Sequence, residues 1–199
     1  MGTSLLILGA FAAGILCSLC GIVPAFLISD TLCAVMLYVL VFLVGIGIGG
    51  SGKGLKVVRR VGWKVLLVPV AVVVGTLGAA AVVGLLWPGM HLRDALAVAA
   101  GFGYYSLSSV IIAKWSHTLG AVALLANMTR EVTTLVVAPL LTRWLGKLAL
   151  IGCGGATSMD TTLPIVTRLS GKEYAAIAIF SGLTLSILVP FLVPFILSF

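Results

Sequence analysis

Apolar runs long enough to cross a bilayer follow one another along this chain, joined by only a few polar residues at a time. A helix spanning the hydrocarbon needs about 20 mostly apolar residues, and inside lipid every backbone N–H and C=O must find its partner within the protein. The succession therefore predicts an all-α polytopic membrane protein of about seven membrane segments in one transmembrane domain covering 1–199. The expected spans are roughly 4–27, 31–50, 63–87, 95–113, 119–141, a broken 148–167, and 174–198. Only 9% of the residues are charged and 61% are hydrophobic, where a soluble domain carries about a quarter charged. No stretch is left for a soluble domain. The first run lacks a basic leader, since no Lys or Arg precedes Lys53, and is expected to be the first transmembrane helix of the mature protein.

The net charge of +7 does not mark a nucleic-acid binder, because five of the twelve basic residues, Lys53, Lys56, Arg59, Arg60 and Lys64, crowd into one joint between apolar runs. Such a cluster holds its loop on the cytoplasmic side, with attraction to anionic lipid head groups as a by-product. The glycines of 45–54 beside Lys53 do not make a P-loop, because Leu55 and Lys56 follow Gly54. Cys17 and Cys20 have C-x-x-C spacing, but no second pair or nearby His accompanies them, so buried packing thiols are expected and no metal site. His91 and His117 fall in joints expected on opposite sides of the membrane.

Three ionisable residues, Arg130, Glu131 and Asp160, lie inside otherwise apolar runs. A charge at the bilayer centre costs roughly 3 kcal/mol on insertion scales, so it is seldom kept without a partner or a use. On a helix Asn127, Glu131 and Thr134 share a face, while Arg130 points about 100° away from Glu131. Each charge is thus expected to seek a partner on another segment. Two stretches break the helical pattern. Gly101 and Gly103 with Tyr104, Tyr105, Ser106 and Ser109 fall in mid-span, consistent either with a close helix contact or with an unwound segment facing a polar cavity. The segment 148–167 turns glycine-rich, then polar around Asp160, and Pro164 forbids an uninterrupted helix. Interrupted helices are accordingly expected near 101–109 and 152–164. With the 53–64 joint inside, a full crossing by 148–167 puts eight basic residues in against three out, and a fold-back gives six against five, so the crossing is expected.

Hydroxyls of Thr157, Ser158, Thr161 and Thr162 surround Asp160 beside a chain break that frees backbone groups. Broken helices near the bilayer centre hold charged substrates and coupling ions in many secondary transporters. Asp160 and Glu131 are the candidates for binding a cationic substrate or a proton in turn, and mutually exclusive occupancy is the basis of antiport. The competing explanation is a buried ion pair between Arg130 and an acid. An intramembrane hydrolase is disfavoured, because no Gly-x-Ser-x-Gly occurs and both His lie in joints. A structural or regulatory membrane subunit is the remaining alternative. No catalytic residue, metal or cofactor is expected beyond a coupling ion, H+ or Na+.

The motifs GlyPheGlyTyrTyrSerLeuSerSer (101–109), AsnMetThrArgGlu (127–131) and CysGlyGlyAlaThrSerMetAspThrThrLeuPro (153–164), with LeuValPheLeuValGlyIleGly (40–47), resemble those of the LysO lysine exporter family in order and spacing. The resemblance implies a multi-pass exporter of L-lysine, or a similar cationic amino acid, in the inner membrane of a prokaryote, coupled to an inward ion flux. The family's intramembrane acids map by motif onto Glu131 and Asp160. Two carboxylates suit the two amines of lysine, and Arg130 or the positive end of a half-helix suits its carboxylate. Tyr104, Tyr105, Ser106, Ser109 and Asn127 are then expected to line the site. Longer members carry roughly three further spans, each of about 20 residues, ahead of the matched part. A small membrane subunit, or self-association into a homo-oligomer, is implied to supply them.

Overall fold

The computed structural model describes residues 63–87 and 89–199, and individually Ala13, Leu16, Cys17, Leu19, Cys20, Leu32, Val35 and Val39. The expected spans 4–27 and 31–50 therefore lie largely outside the described residues, and the glycine-rich 45–54, Cys33 and the basic cluster Lys53–Arg60 lie wholly outside them. The described part is all-helical, as the apolar runs predict. After a 3-10 turn, Trp63–Leu66, come α1 (Leu67–Leu86), α2 (Leu92–Ala99), α3 (Tyr105–Ala113), α4 (His117–Leu145), α5 (Ala149–Gly154), α6 (Leu163–Leu169) and α7 (Lys172–Leu197). A second 3-10 turn, Gly155–Met159, continues α5.

Among the described residues three helices are long and apolar enough to cross a membrane: α1 with 20 residues, α4 with 29 and α7 with 26. At 1.5 Å per residue they run about 30, 43 and 39 Å. Helix α4 starts where the Ser116 hydroxyl accepts the Leu119 amide at 3.3 Å, and stops at Gly146, whose φ of 87° no helix accommodates. Pro139 sits inside it. Thr142 just beyond donates to the carbonyls of Ala138 and Pro139, a local adjustment of the kind that lets membrane helices carry proline.

The interruptions expected near 101–109 and 152–164 are both present. Helix α2 ends because Phe102 and Gly103 take positive φ, 47° and 94°, and the chain turns through a Tyr104 N–H to Gly101 carbonyl bond of 2.7 Å before α3 begins. Helix α5 ends at Gly155, φ 62°, and α6 restarts with Pro164 in its first turn, where a missing N–H costs nothing.

Neither broken segment crosses. Leu67 and Val68 at the start of α1 line one cavity together with Leu148 and Ala149, so residue 148 lies at the face where α1 begins. Gly84 near the other end of α1 packs on Leu92 and Ala95. Helix α4 runs from the second face back to the first, ending beside residue 148. Residues 92 and 117 consequently share the second face, and α2–α3 enters from there and returns. At the first face the Ser170 hydroxyl donates to the Lys147 carbonyl at 2.9 Å and the Lys147 ammonium stands 5.6 Å over the Tyr174 ring, so α5–α6 also returns to where it entered. The crossings expected for 95–113 and 148–167 are corrected to two re-entrant hairpins. With both folded back, Lys64, Arg143, Lys147, Arg168 and Lys172 fall on the first face against Arg93 and Lys114 on the second, a clear asymmetry. His91 and His117, expected on opposite sides, share the second face, where Asp94 pairs with Arg93 at 3.4 Å. Exposed Trp87 and Trp115 mark the second face and Trp144 the first, at the depths where aromatic belts form.

Helix α1 with its hairpin and α4 with its hairpin thus make two like units in opposite orientation, the inverted repeat of many transporters. Helix α7 backs both. Its Leu185, Val189, Val193 and Leu197 join Phe102, Leu107 and Ile112 in one buried cluster, and its Ala178 joins Ala138, Leu150, Ile151 and Val166 in another. Cys17 and Cys20, expected to be buried thiols, are exposed. Exposed apolar residues of a membrane helix face lipid or a neighbouring helix, so thiol packing inside the chain is not their role.

Candidate functional site between two hairpin tips

The tips of the hairpins meet near the middle of α4. The Ala156 amide donates to the Phe102 carbonyl at 2.8 Å, a backbone bond that joins one unwound segment to the other. A Cβ on Gly155 would overlap the Phe102 carbonyl, and one on Gly103 would stand 2.9 Å from the Gly154 carbonyl. Glycine at both places lets main chain touch main chain. Phe102 takes the left-handed conformation despite its side chain, which costs about 1–2 kcal/mol, and its fully buried ring holds it there.

Beside this seam lies a cavity of about 170 Å³ lined by Gly103, Tyr104, Tyr105, Ser106, Ala156, Thr157, Met159, Asp160 and Thr161. Six expected site residues come together in it: Tyr104, Tyr105 and Ser106 from one hairpin, Thr157, Asp160 and Thr161 from the other. Drug-sized sites begin near 300 Å³, so this volume suits a small metabolite. Asp160 is exposed, and its Oδ1 accepts the Thr161 amide and, at 3.2 Å, the Thr161 hydroxyl. A larger cavity of about 590 Å³ between α1 and α5 has no ionisable residue among its described lining residues.

The other five expected site residues stand behind the cavity. Glu131 is fully buried on α4, within electrostatic range of Asp160. Asn127, also buried, accepts the Gly103 amide at 2.8 Å and donates to the carbonyls of Val98 and Ala123 at 3.0 and 2.9 Å. Arg130 donates through Nε to the Cys153 carbonyl at 2.8 Å and through Nη2 to that of Gly152 at 3.0 Å. Its partner is therefore on another segment, as its direction on the helix predicts, but that partner is the carbonyl end of α5. Among the described residues no ion pair joins Arg130 to an acid. Ser158 donates to the carbonyls of Gly155, 2.6 Å, and Ala178, 3.3 Å, fastening the tip to α7, and Ser109 donates to the Tyr105 carbonyl at 2.6 Å. Gly103, Ala156 and Met159 line the cavity as well and were missed. Only the glycine spacing around 101–103 hinted at them. Among the described residues no group of three or more His, Cys, Asp and Glu side chains gathers to hold a metal.

Comparison with known proteins places the chain in a family. Residues 8–197 match the family described as Lysine exporter LysO. The chain is 38% identical over 162 residues to the Lysine exporter LysO of Escherichia coli (strain K12), covering 80% of this chain and 52% of that protein. It is 33% identical over 165 residues to a Haemophilus influenzae protein that bears the name lysine exporter provisionally, covering 82% of this chain and 83% of that one. The chain spans about half the length of the Escherichia coli relative. No solved structure matches it. Hinged on these matches and on a helical membrane fold with two broken segments, the conclusion is plain: the chain belongs to the lysine exporter LysO family.

Proposed function

We propose that the protein exports L-lysine, or a similar cationic amino acid, across the cytoplasmic membrane of a prokaryote by antiport with protons or sodium. The observation that carries this is Asp160, a carboxylate lining a small cavity between the tips of two broken segments. A lysine amine placed there neutralises Asp160, and the hydroxyls of Tyr104, Ser106 and Thr157 offer it further hydrogen bonds. Glu131, buried behind, is assigned the second carboxylate, loaded by a proton or by the ligand in turn. Such exclusive occupancy couples the two fluxes.

The Lys147 face is assigned to the cytoplasm, because it carries the larger share of the described basic residues and α1, which follows the Lys53–Lys64 joint in sequence, begins there. Further helices, from a small membrane subunit or a second copy, are proposed to complete the exporter, supported by the alignment over only 52% of the Escherichia coli relative. The test is lysine efflux from vesicles containing the protein, with and without a co-expressed small subunit. Asp160→Asn and Glu131→Gln are each expected to abolish efflux. Undiminished efflux in both variants removes the site, and efflux of neutral but not cationic amino acids removes the substrate class.

A further inference from the structure

Asn127 and Arg130 sit one helical turn apart on α4, and each holds a different hairpin. Asn127 bonds the tip of α2–α3 at both sides of its break, to the Val98 carbonyl and the Gly103 amide. Its third bond, to the Ala123 carbonyl, lies within α4. An asparagine amide has two N–H donors, and both are taken while the oxygen accepts. The amide orientation is fixed by its partners, since two carbonyls require the donors and one N–H requires the acceptor. With only 4% of its surface exposed, Asn127 has no donor left for a ligand.

Arg130 does the corresponding work for the α5–α6 hairpin. Its guanidinium bonds the carbonyls of Gly152 and Cys153 in the last turn of α5, at the negative end of a half-helix. Nothing else that α4 offers from these two positions crosses to the wrong hairpin. One hairpin opens only towards the Trp115 face and the other only towards the Lys147 face, because each returns to the face it left.

We propose that Asn127 and Arg130 are positioning residues, latches that separately hold two oppositely facing gates, Asn127 the gate of the Trp115 face and Arg130 the gate of the Lys147 face. The word gate rests on the transport function proposed above; the separate latching rests on the hydrogen bonds alone. Loosening one latch releases one tip from the seam and admits water to the cavity from that side only.

The test is side-specific labelling of a cysteine in the cavity. Ser106→Cys, half-buried in the lining, serves as reporter in the full chain with its native cysteines replaced, in right-side-out and inside-out vesicles, using a membrane-impermeant maleimide. Asn127→Leu is expected to raise the labelling rate about tenfold from the Trp115 face and not from the other, and Arg130→Met about tenfold from the Lys147 face alone, the order of change that loss of buried hydrogen bonds brings to a two-state population. Asn127→Gln and Arg130→Lys are expected to give smaller shifts towards the same respective faces, and they carry the test if the first pair accumulates poorly. Equal increases from both faces, increases from the same face, or no change overturns the proposal. Lysine protection is read in the same vesicles. Sided labelling that lysine does not slow leaves the latches standing and removes the lysine assignment, whereas protection without sidedness does the reverse.

Discussion

Gly155→Ala strikes the seam where the two hairpins meet, and its cost can be worked out from the backbone. Gly155 has φ 62°, where a residue with a Cβ pays about 1–2 kcal/mol. The new methyl group would overlap the Phe102 carbonyl, which is main chain and cannot swing away as a side chain would. The tip must retreat, and the Ala156 amide to Phe102 carbonyl bond goes with it, a further loss of about 1 kcal/mol. Together these amount to about 3 kcal/mol, or about a hundredfold fall in the population with docked tips. The assay pairs thermal unfolding of the protein in nanodiscs with lysine efflux from vesicles, and both are expected to fall. Gly152→Ala is the control. It lies in α5 with nothing within 4 Å of an added Cβ, so it is expected to be neutral or to gain up to about 1 kcal/mol of helix propensity. A Gly155→Ala protein as stable and active as wild type, or a Gly152→Ala protein equally damaged, refutes the main-chain seam.

Three further outcomes follow from the packing around the tips. Ser158→Ala removes the bonds to the Gly155 and Ala178 carbonyls and is expected to cost about 1 kcal/mol of unfolding free energy while leaving the KM for lysine unchanged, since Ser158 does not line the cavity. Gly101→Ala puts a methyl 2.6 Å from the Ser108 hydroxyl and 2.8 Å from the Asn127 amide nitrogen, an overpacking worth about 1–3 kcal/mol that thermal unfolding reads directly. Ser108→Ala is expected to leave the melting temperature level or raise it, because the buried Ser108 hydroxyl has no hydrogen-bond partner among the described residues; a marked fall would show a bond the structure does not contain.

The helical membrane class and both interruptions could be read from the sequence, because hydrophobic length and glycine placement are local properties of the chain. So could the gathering of polar groups at Asp160, whose neighbours Thr157 and Thr161 line the same cavity. The direction of the hairpins could not. Whether 148–167 crosses depends on where Lys147 and Ser170 end up relative to each other, and a positive-inside count needs that answer before it can be taken. Asn127 shows a second limit. Its residue type announces hydrogen bonding inside the membrane, but whether the partners are a ligand or the broken main chain of residues 98–103 is decided by tertiary placement alone.

The bond from Ala156 to Phe102 has a consequence for divergence within such proteins. It is written in peptide groups, so its donor and acceptor are present whatever side chains stand at the two positions. Proline at 156 is the one substitution that deletes the donor outright. Two relatives can therefore differ at both residues and still share this junction, and the pairing leaves little trace of compensating exchanges for a comparison of sequences to detect.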